Sequence, residues 1–380
     1  MQADPSIPMR HATRRPSLKD HALPALRDLC VARGWPAYRG DQIAAWLYKS
    51  GVESLDEMTN LPAEIRAGLA EDFDVSSLEI VTIQESVDGT KKLLLAAQDG
   101  AQIEAVLIPE ERRQTLCVST QVGCPLTCDF CATGALGFTR NLTTSEIVDQ
   151  VLLARRQLAS DETLSNLVFM GMGEPLLNLP AVSEAIRLFT DPKAFGMAAR
   201  RITVSTAGVL PQIPTLLEVA PIHLAVSLHA TTDEVRDVLV PLNKRYPIAE
   251  LMHALRSEPR INRRRPVFFE YTLMEGVNDS VEHARRLPGL LEGIPSKVNV
   301  IPMNPHPDAP YRPPAQDVVD RFTAALYDGG LRVTLRRDRG RDIDAACGQL
   351  ANRAAPSAAP SAAKSETAAD ARTDAAGDMG

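Results

Sequence analysis

The sequence predicts an α/β protein: an incomplete (β/α)6 barrel of the TIM type, preceded by a small helical domain and an antiparallel β extension. Three observations lead there. From Thr115 onward, apolar strand-like runs alternate with amphipathic helical segments, the pattern of βα units on a parallel sheet. Just before this, residues 78–119 follow β periodicity, with Asp88-Gly89 and Asp99-Gly100 as hairpin turn signals. Finally, polar turns bounded by Gly or Pro follow one strand after another, where a barrel of this kind carries its chemistry.

The elements follow in order. Residues 1–16 are polar and rich in Pro and Arg, and are expected to be disordered. Residues 17–77 read as short helices forming an accessory domain suited to docking on RNA or packing on the core. Leu23, Leu26 and Cys30 repeat at helical spacing, Ile43, Trp46 and Leu47 form a second stripe, and Pro62 opens a third helix. Cys30 on its apolar stripe reads as a buried structural thiol. Residues 78–110 form the β extension, and its Glu104 is expected to face solvent on an alternating strand. Residues 111–350 form the barrel, with strands at 115–119, 166–170, 202–205, 223–227, 267–272 and 297–301. Thr143 and Glu146 make a capping box for the helix that follows them. Six units leave the barrel open on one side for a large substrate. Residues 351–380, rich in Ala, Ser, Thr and Asp, lack apolar periodicity and read as a disordered tail.

Composition narrows the class. A chain of 380 residues, 44% hydrophobic, can bury a barrel-sized core and an accessory domain. No stretch is apolar enough to span a membrane, and the N-terminus lacks a signal peptide's apolar core. A cytoplasmic, monomeric protein is expected, with its six cysteines reduced rather than paired as a scaffold. The net charge of −7 does not advertise nucleic-acid binding, but arginines cluster at 112–113, 155–156, 200–201, 263–265 and 285–286, and again as Arg336, Arg337, Arg339 and Arg341. On one face these could track phosphates; singly they read as solvated helix ends.

The most specific feature is Cys124, Cys128 and Cys131, spaced C-x3-C-x2-C on one loop. Three thiolates can hold three irons of a cubane cluster and leave the fourth open, whereas electron-transfer clusters use four cysteines. This spacing resembles that of radical S-adenosylmethionine (SAM) enzymes, whose open iron chelates the amino and carboxylate groups of SAM. Zinc is the plainer alternative, with Cys117 as fourth ligand, but structural zinc sites pair cysteines in two short knuckles and no second knuckle is present.

Around the same barrel mouth the sequence places Gly173 and Glu174 after the second strand, Ser205 after the third, Ser227, Leu228 and His229 after the fourth, and Asn304 after the sixth. A carboxylate at Glu174 suits a ligand ammonium group, and the Ser, His and Asn side chains suit a ribose or carboxylate. His229 taken alone is more often structural. Two cysteines remain: Cys117 just before the cluster loop, and Cys347 in a Gly-bearing segment after the basic run, an odd place for a buried thiol.

Taken together, 117–134, Gly-Phe-Thr-Arg-Asn-Leu-Thr at 137–143, Gly-Met-Gly-Glu-Pro-Leu-Leu-Asn at 171–178, Ser-Leu-His-Ala at 227–230 and Asp-Ile-Asp-Ala-Ala-Cys-Gly-Gln-Leu at 342–350 resemble the RlmN family. Its members are dual-specificity radical SAM methyltransferases of bacterial 23S rRNA and tRNA. The resemblance spans about residues 17–350; Ala135-Leu136 is less polar than the family pattern. It implies methylation at C2 of adenosine 2503 in 23S rRNA and adenosine 37 in tRNA, with a [4Fe-4S] cluster, two SAM per turnover and an external electron donor. It also implies that Cys347 carries the methyl group as S-methylcysteine. Cys117 would release the product through a transient disulfide with Cys347, and Glu104 would be the acid–base group. The alternatives are a Cfr-like C8 methyltransferase and a non-catalytic, metal-stabilised RNA-binding protein.

Overall fold

A computed structural model describes residues 15–111, 113–307, 309–336 and 339–351. The expected disorder at 1–16 and 351–380 falls almost wholly outside them, as do Arg112 and Arg337.

The strands are β1 (Leu78–Glu85), β2 (Lys91–Ala97), β3 (Gln102–Glu110), β4 (Arg113–Cys117), β5 (Gln121–Gly123), β6 (Phe138–Asn141), β7 (Thr163–Phe169), β8 (Ile202–Thr206), β9 (His223–Ser227), β10 (Val267–Leu273), β11 (Ser296–Pro302) and β12 (Val333–Leu335). Ten of them form one sheet in the order β1-β2-β3-β4-β7-β8-β9-β10-β11-β12, while β5 and β6 make a separate antiparallel ribbon. The pairs from β1 to β4 are antiparallel. Every pair from β4 to β12 is parallel. The α/β open barrel read from the sequence is therefore present, with two differences. The β extension is not an appendage: β3 pairs with β4 and continues the barrel's own sheet. A seventh parallel strand, β12, follows the expected six. It is three residues long and mostly exposed, so it lacks the apolar run that marks the others.

Parallel strands buried on both faces need continuous apolar runs. The sequence supplies one in β9, whose Leu224, Ala225 and Val226 are buried; β10 buries Val267, Phe269, Tyr271 and Leu273 on one face and Glu270 and Thr272 on the other. The helix Thr144–Arg155 starts at the expected capping box: Glu146 N donates to Thr143 Oγ1 at 3.2 Å, and Thr143 N donates to the Glu146 carboxylate at 2.9 Å. Such a cap contributes about 1 kcal/mol.

The N-terminal helices Leu23–Ala32, Tyr38–Ala44 and Ala63–Asp72 bury Leu26, Cys30, Ile43 and Leu69 against one another. A buried ion pair joins this domain to the barrel. Lys19 Nζ lies 2.5 Å from Asp149 Oδ1, and Asp149 Oδ2 accepts from Ser77 N and Leu78 N, where β1 begins. No helix among the described residues is long and apolar enough to cross a membrane.

Candidate active site

The cluster loop follows β5 and is shaped by short backbone contacts. Cys124 N donates to Gly137 O at 2.8 Å, which folds the loop back on β6. Gly123 takes φ 73, and a side chain there would put its Cβ 1.8 Å from Gly137 O. Only glycine permits this closure. Cys124, Cys128 and Cys131 all line one cavity of about 970 Å3, counting its open mouth. Burial pushes the Cys124 thiol up to about 12 and raises Cys128 and Cys131 as well. Metal binding must therefore expel protons from these groups. Among the described residues, no three His, Cys, Asp or Glu side chains converge on a single-ion site. Three thiols lining one cavity can each ligate a different iron of a polynuclear cluster.

The same cavity is lined by Gly173, Glu174, Ser205, Ser227 and His229. The expected ring of loops is therefore brought together. Glu174 is 4% exposed. Its two oxygens accept from Leu176 N at 3.1 Å and Ala207 N at 2.8 Å. Burial raises its pKa, and these bonds work the other way. Among the described residues no cation is paired with this carboxylate in the cavity, an arrangement that fits a ligand ammonium group. Gly173 takes φ 99, and a Cβ there would strike Gln121 Cβ at 2.6 Å, so Gly173 fixes how closely this turn approaches β5.

His229 sits at φ 55, an uncommon conformation for a residue other than glycine. Thr272 N donates to its Nδ1 at 3.0 Å. Nδ1 is then the acceptor and Nε2 carries the proton. Burial, with Arg236 second, lowers its pKa to about 3, so the ring is neutral. Leu228 is fully buried and does not line the cavity; its amide donates to Glu270 O at 3.0 Å. Its contribution to the site is backbone.

A second cavity, of about 1390 Å3, adjoins the first. Cys117 and Asn304 line the second only, whereas Cys347 lines both. Asn304 Nδ2 donates to Cys347 O at 3.3 Å. Cys347 is exposed and Cys117 is buried. Burial, with the nearby Cys347 second, pushes the Cys117 thiol up to about 12. Glu104 does not face solvent as its alternating strand suggested. It is 0% exposed, lies 3.2 Å from Lys92 Nζ, and lines neither cavity.

Three residues at the site had no role in the sequence reading or a different one. Arg236 is 1% exposed and donates to Ala207 O, Ser227 O and Leu228 O, tying together the turns after β8 and β9. Glu270 lines the first cavity, with Oε1 accepting from Asn299 Nδ2 at 2.8 Å. The available signal was a carboxylate inside the apolar run Val-Phe-Phe-Glu-Tyr-Thr-Leu. Arg336, grouped in the sequence with a basic run expected to meet RNA phosphates, lines both cavities 3.7 Å from Glu270.

The comparisons agree with this geometry. Residues 118–287 match the model of the radical SAM superfamily, and residues 17–75 match the ribosomal RNA large subunit methyltransferase N-terminal domain. A dual-specificity RNA methyltransferase RlmN from Marinobacter nauticus is 46% identical over 325 residues, covering 84% of this chain and 88% of the relative. One from Anaeromyxobacter is 47% identical over 348 residues, covering 90% and 92%. The chain belongs to the RlmN family. A radical SAM methyltransferase structure from Sphaerobacter thermophilus superposes with TM-score 0.85 at 45% identity, over 89% of this chain and all of that one. The chain is thus an RNA methyltransferase of the radical SAM class, with a [4Fe-4S] cluster and SAM as cofactors. The three lining cysteines and the Glu174 carboxylate are groups of the right chemistry to hold them.

Proposed function

We propose that this enzyme methylates C2 of adenosine, at position 2503 of 23S rRNA and position 37 of tRNA, through a methyl group carried on Cys347. One observation carries the reading: Cys347 lines both the cavity of the cluster cysteines and the adjoining cavity of Cys117. A sulfur at that junction can be loaded and activated on one side and deliver its carbon on the other.

When bound, the cluster and two SAM molecules per turnover, with an electron from an external donor, supply the methyl group and the radical that activates it. Gly173, Glu174, Ser205, Ser227, Leu228, His229 and Asn304 are the residues proposed to bind and orient SAM or to hold the segments that do. Glu174 takes the ammonium group. His229 offers a neutral Nε2–H donor whose tautomer is fixed by Thr272 N. The S-methyl carbon of Cys347, having given up one hydrogen atom, bonds to C2. C2 gives up its own hydrogen as a proton, which Cys117 helps remove, and one electron leaves the adduct, so that a Cys347–S–CH2–C2 thioether results. The thiolate of Cys117 then attacks the Cys347 sulfur. The S–S bond forms, the C–S bond breaks with its electron pair on the departing carbon, and that carbon takes up a proton. External thiols restore the pair by exchange. Cys117 rests protonated because of its burial, so it must lose a proton before it acts. The acid–base role of Glu104 rests on the resemblance alone, and its contacts give it a further part below.

The test uses the two cysteines. Cys347→Ala accepts no methyl and never bonds to RNA. Cys117→Ala reaches the thioether and stalls, giving an RNase-sensitive, slow-migrating band on a denaturing gel. If neither variant forms an adduct, the relay is wrong. Mass spectrometry of the methylated nucleoside from the wild type separates C2 from C8.

A further inference from the structure

The segment that carries Cys347 has almost no regular structure of its own, being one short 3-10 turn at Arg341–Ile343 and then loop. Yet each of its ends is fastened to the β extension. At the start, Gly340 N donates to Asp88 Oδ2 at 3.1 Å, and Val87 N donates to the Asp342 carboxylate at 3.2 Å. Deeper in the fold, Lys92 on β2 and Glu104 on β3 stand directly opposite each other's neighbours, with Leu94 paired to Glu104 and Lys92 paired to Val106. Their side chains keep only 4% and 1% of their accessibility and form an ion pair at 3.2 Å. Lys92 Nζ also donates to Asp344 O at 3.3 Å, and Glu104 Oε2 accepts from Ala351 N at 2.9 Å. Residues 344 and 351 bracket Cys347.

We infer that Lys92 and Glu104 are a positioning pair that clamps both flanks of the Cys347 loop at the junction of the two cavities. Physical chemistry favours this over a role in stability alone. Removing two charges from water is costly, and a buried ion pair is often replaceable by apolar residues without loss of stability. Here each partner also bonds the backbone of one loop, Lys92 Nζ to Asp344 O and Glu104 Oε2 from Ala351 N. The pair is also rigidly mounted, because β2 and β3 are interior strands of the ten-stranded sheet. The loop has nothing comparable within itself: Asp344 sits at φ 51, and the bonds between its described residues are short-range turn contacts, Ile343 N and Ala345 N to Gly340 O, Asp344 N to Arg341 O, Gln349 N to Ala346 O and Ala346 N to Gln349 Oε1. The clamp therefore fixes a thiol whose own segment does not define its position. Neither Lys92 nor Glu104 lines either of the two cavities, so the clamp acts on the loop rather than from the cavity wall.

This inference rests on the Cys347–Cys117 relay for its meaning but not for its test. The reconstituted holoenzyme and the Lys92→Met/Glu104→Leu double variant, which replaces the pair by apolar groups of similar size, are compared anaerobically in two measurements. In a glutathione redox buffer, the Cys117 and Cys347 thiols give two hydrogens to glutathione disulfide, which leaves as two glutathiones. The equilibrium reads the effective concentration of one cysteine for the other. A fall of at least tenfold is expected in the variant, with iron content and SAM affinity unchanged. In parallel, amide hydrogen exchange of 340–351 is expected to quicken at least tenfold. Equal exchange and equal effective concentration in a folded double variant would overturn the clamp. If the wild type forms no Cys117–Cys347 disulfide, the relay fails, and exchange alone decides the clamp. Should the double variant not fold, Glu104→Gln serves, since it keeps an acceptor for Ala351 N and loses the charge. Faster exchange there supports the clamp. Lost methylation with unchanged exchange overturns it and returns Glu104 to an acid–base role.

Discussion

The two cysteine-bearing segments of this enzyme are held in opposite ways. The cluster loop is built locally: β5 and β6 pair across it, Gly123 lets its ends touch, and Cys131 N donates to Cys128 O within it. The Cys347 segment is held from outside, by Asp88, Lys92 and Glu104 of the β extension, by Ala132 N donating to Gly348 O, by Thr133 donating to Leu350 O, and by Gln349 reaching Pro305 O. A local loop can be specified by a short motif. A segment with remote anchors needs residues scattered over more than two hundred positions, which suits a thiol that has to be placed between two cavities rather than at the bottom of one.

The largest expected difference comes from cutting the local segment itself. Cys124→Ala, Cys128→Ala and Cys131→Ala each remove one of the three thiols proposed to hold the cluster, and Cys347, which shares their cavity, is fastened on a separate segment, so iron content after anaerobic reconstitution should fall to background. The Cys347 segment should survive, because its anchors do not include these thiols. Full iron in any of the three variants would break the contrast.

The same contrast decides how much of the site was legible in the sequence. Gly173, Glu174, Ser205, Ser227 and His229 were legible because each lies at the C-terminal end of a strand with a clear apolar run or just after it, and the cluster cysteines because of their spacing; all of them line the first cavity. Arg236 was not legible. It lies in a helix, Asp233–Leu239, with nothing in its sequence to show that its guanidinium turns inward onto three carbonyls. The clamp was invisible for the same reason. A glutamate in an alternating strand is read as solvent-facing until β2 and the Cys347 segment cover it from both sides. Arg336 shows the converse: a run of arginines suggests one surface, yet β12 ends just before it and turns it toward the cavities.

Next in size is Glu174→Ala. Among the described residues it is the buried carboxylate of the first cavity with no cation paired to it, proposed to take the SAM ammonium group, whereas Glu270 faces Arg336 and Asn299; removing a charge-assisted hydrogen bond of this kind costs about 2–3 kcal/mol. SAM affinity measured by calorimetry should fall about 30- to 150-fold, with iron content retained. Unchanged affinity would remove Glu174 from the cofactor site.

His229 offers a smaller, pH-dependent effect. Its pKa is lowered from 6.5 to about 3 in the fold. The unfolded chain therefore binds a proton that the native state refuses as pH falls below 6.5, and the stability this residue contributes is complete above that value and lost below it. By pH 5.5 the loss attributable to His229 is about 1.4 kcal/mol. His229→Asn tolerates the same backbone conformation and does not titrate there. Denaturant midpoints between pH 7.5 and 5.5 should thus fall less steeply in the variant than in the wild type. Parallel slopes would mean that His229 is hydrated in solution.

The smallest effect separates the two groups of arginines that the sequence treated alike. Arg263 and Arg264 are exposed on the turn before β10, while Arg336 is half-buried between the cavities. If the exposed pair meets phosphates, replacing both by alanine should weaken RNA binding only a few-fold at moderate salt. It should also reduce the slope of log affinity against log salt by about 0.7–0.9 for each phosphate no longer neutralised. Arg336→Ala should leave that slope untouched, because a side chain paired with Glu270 inside the site releases no counterions from the RNA backbone. Its effect belongs to turnover. A salt slope that changes with Arg336 and not with Arg263 and Arg264 would reverse the assignment. It would place the RNA backbone across the cavity mouth rather than on the outer turn.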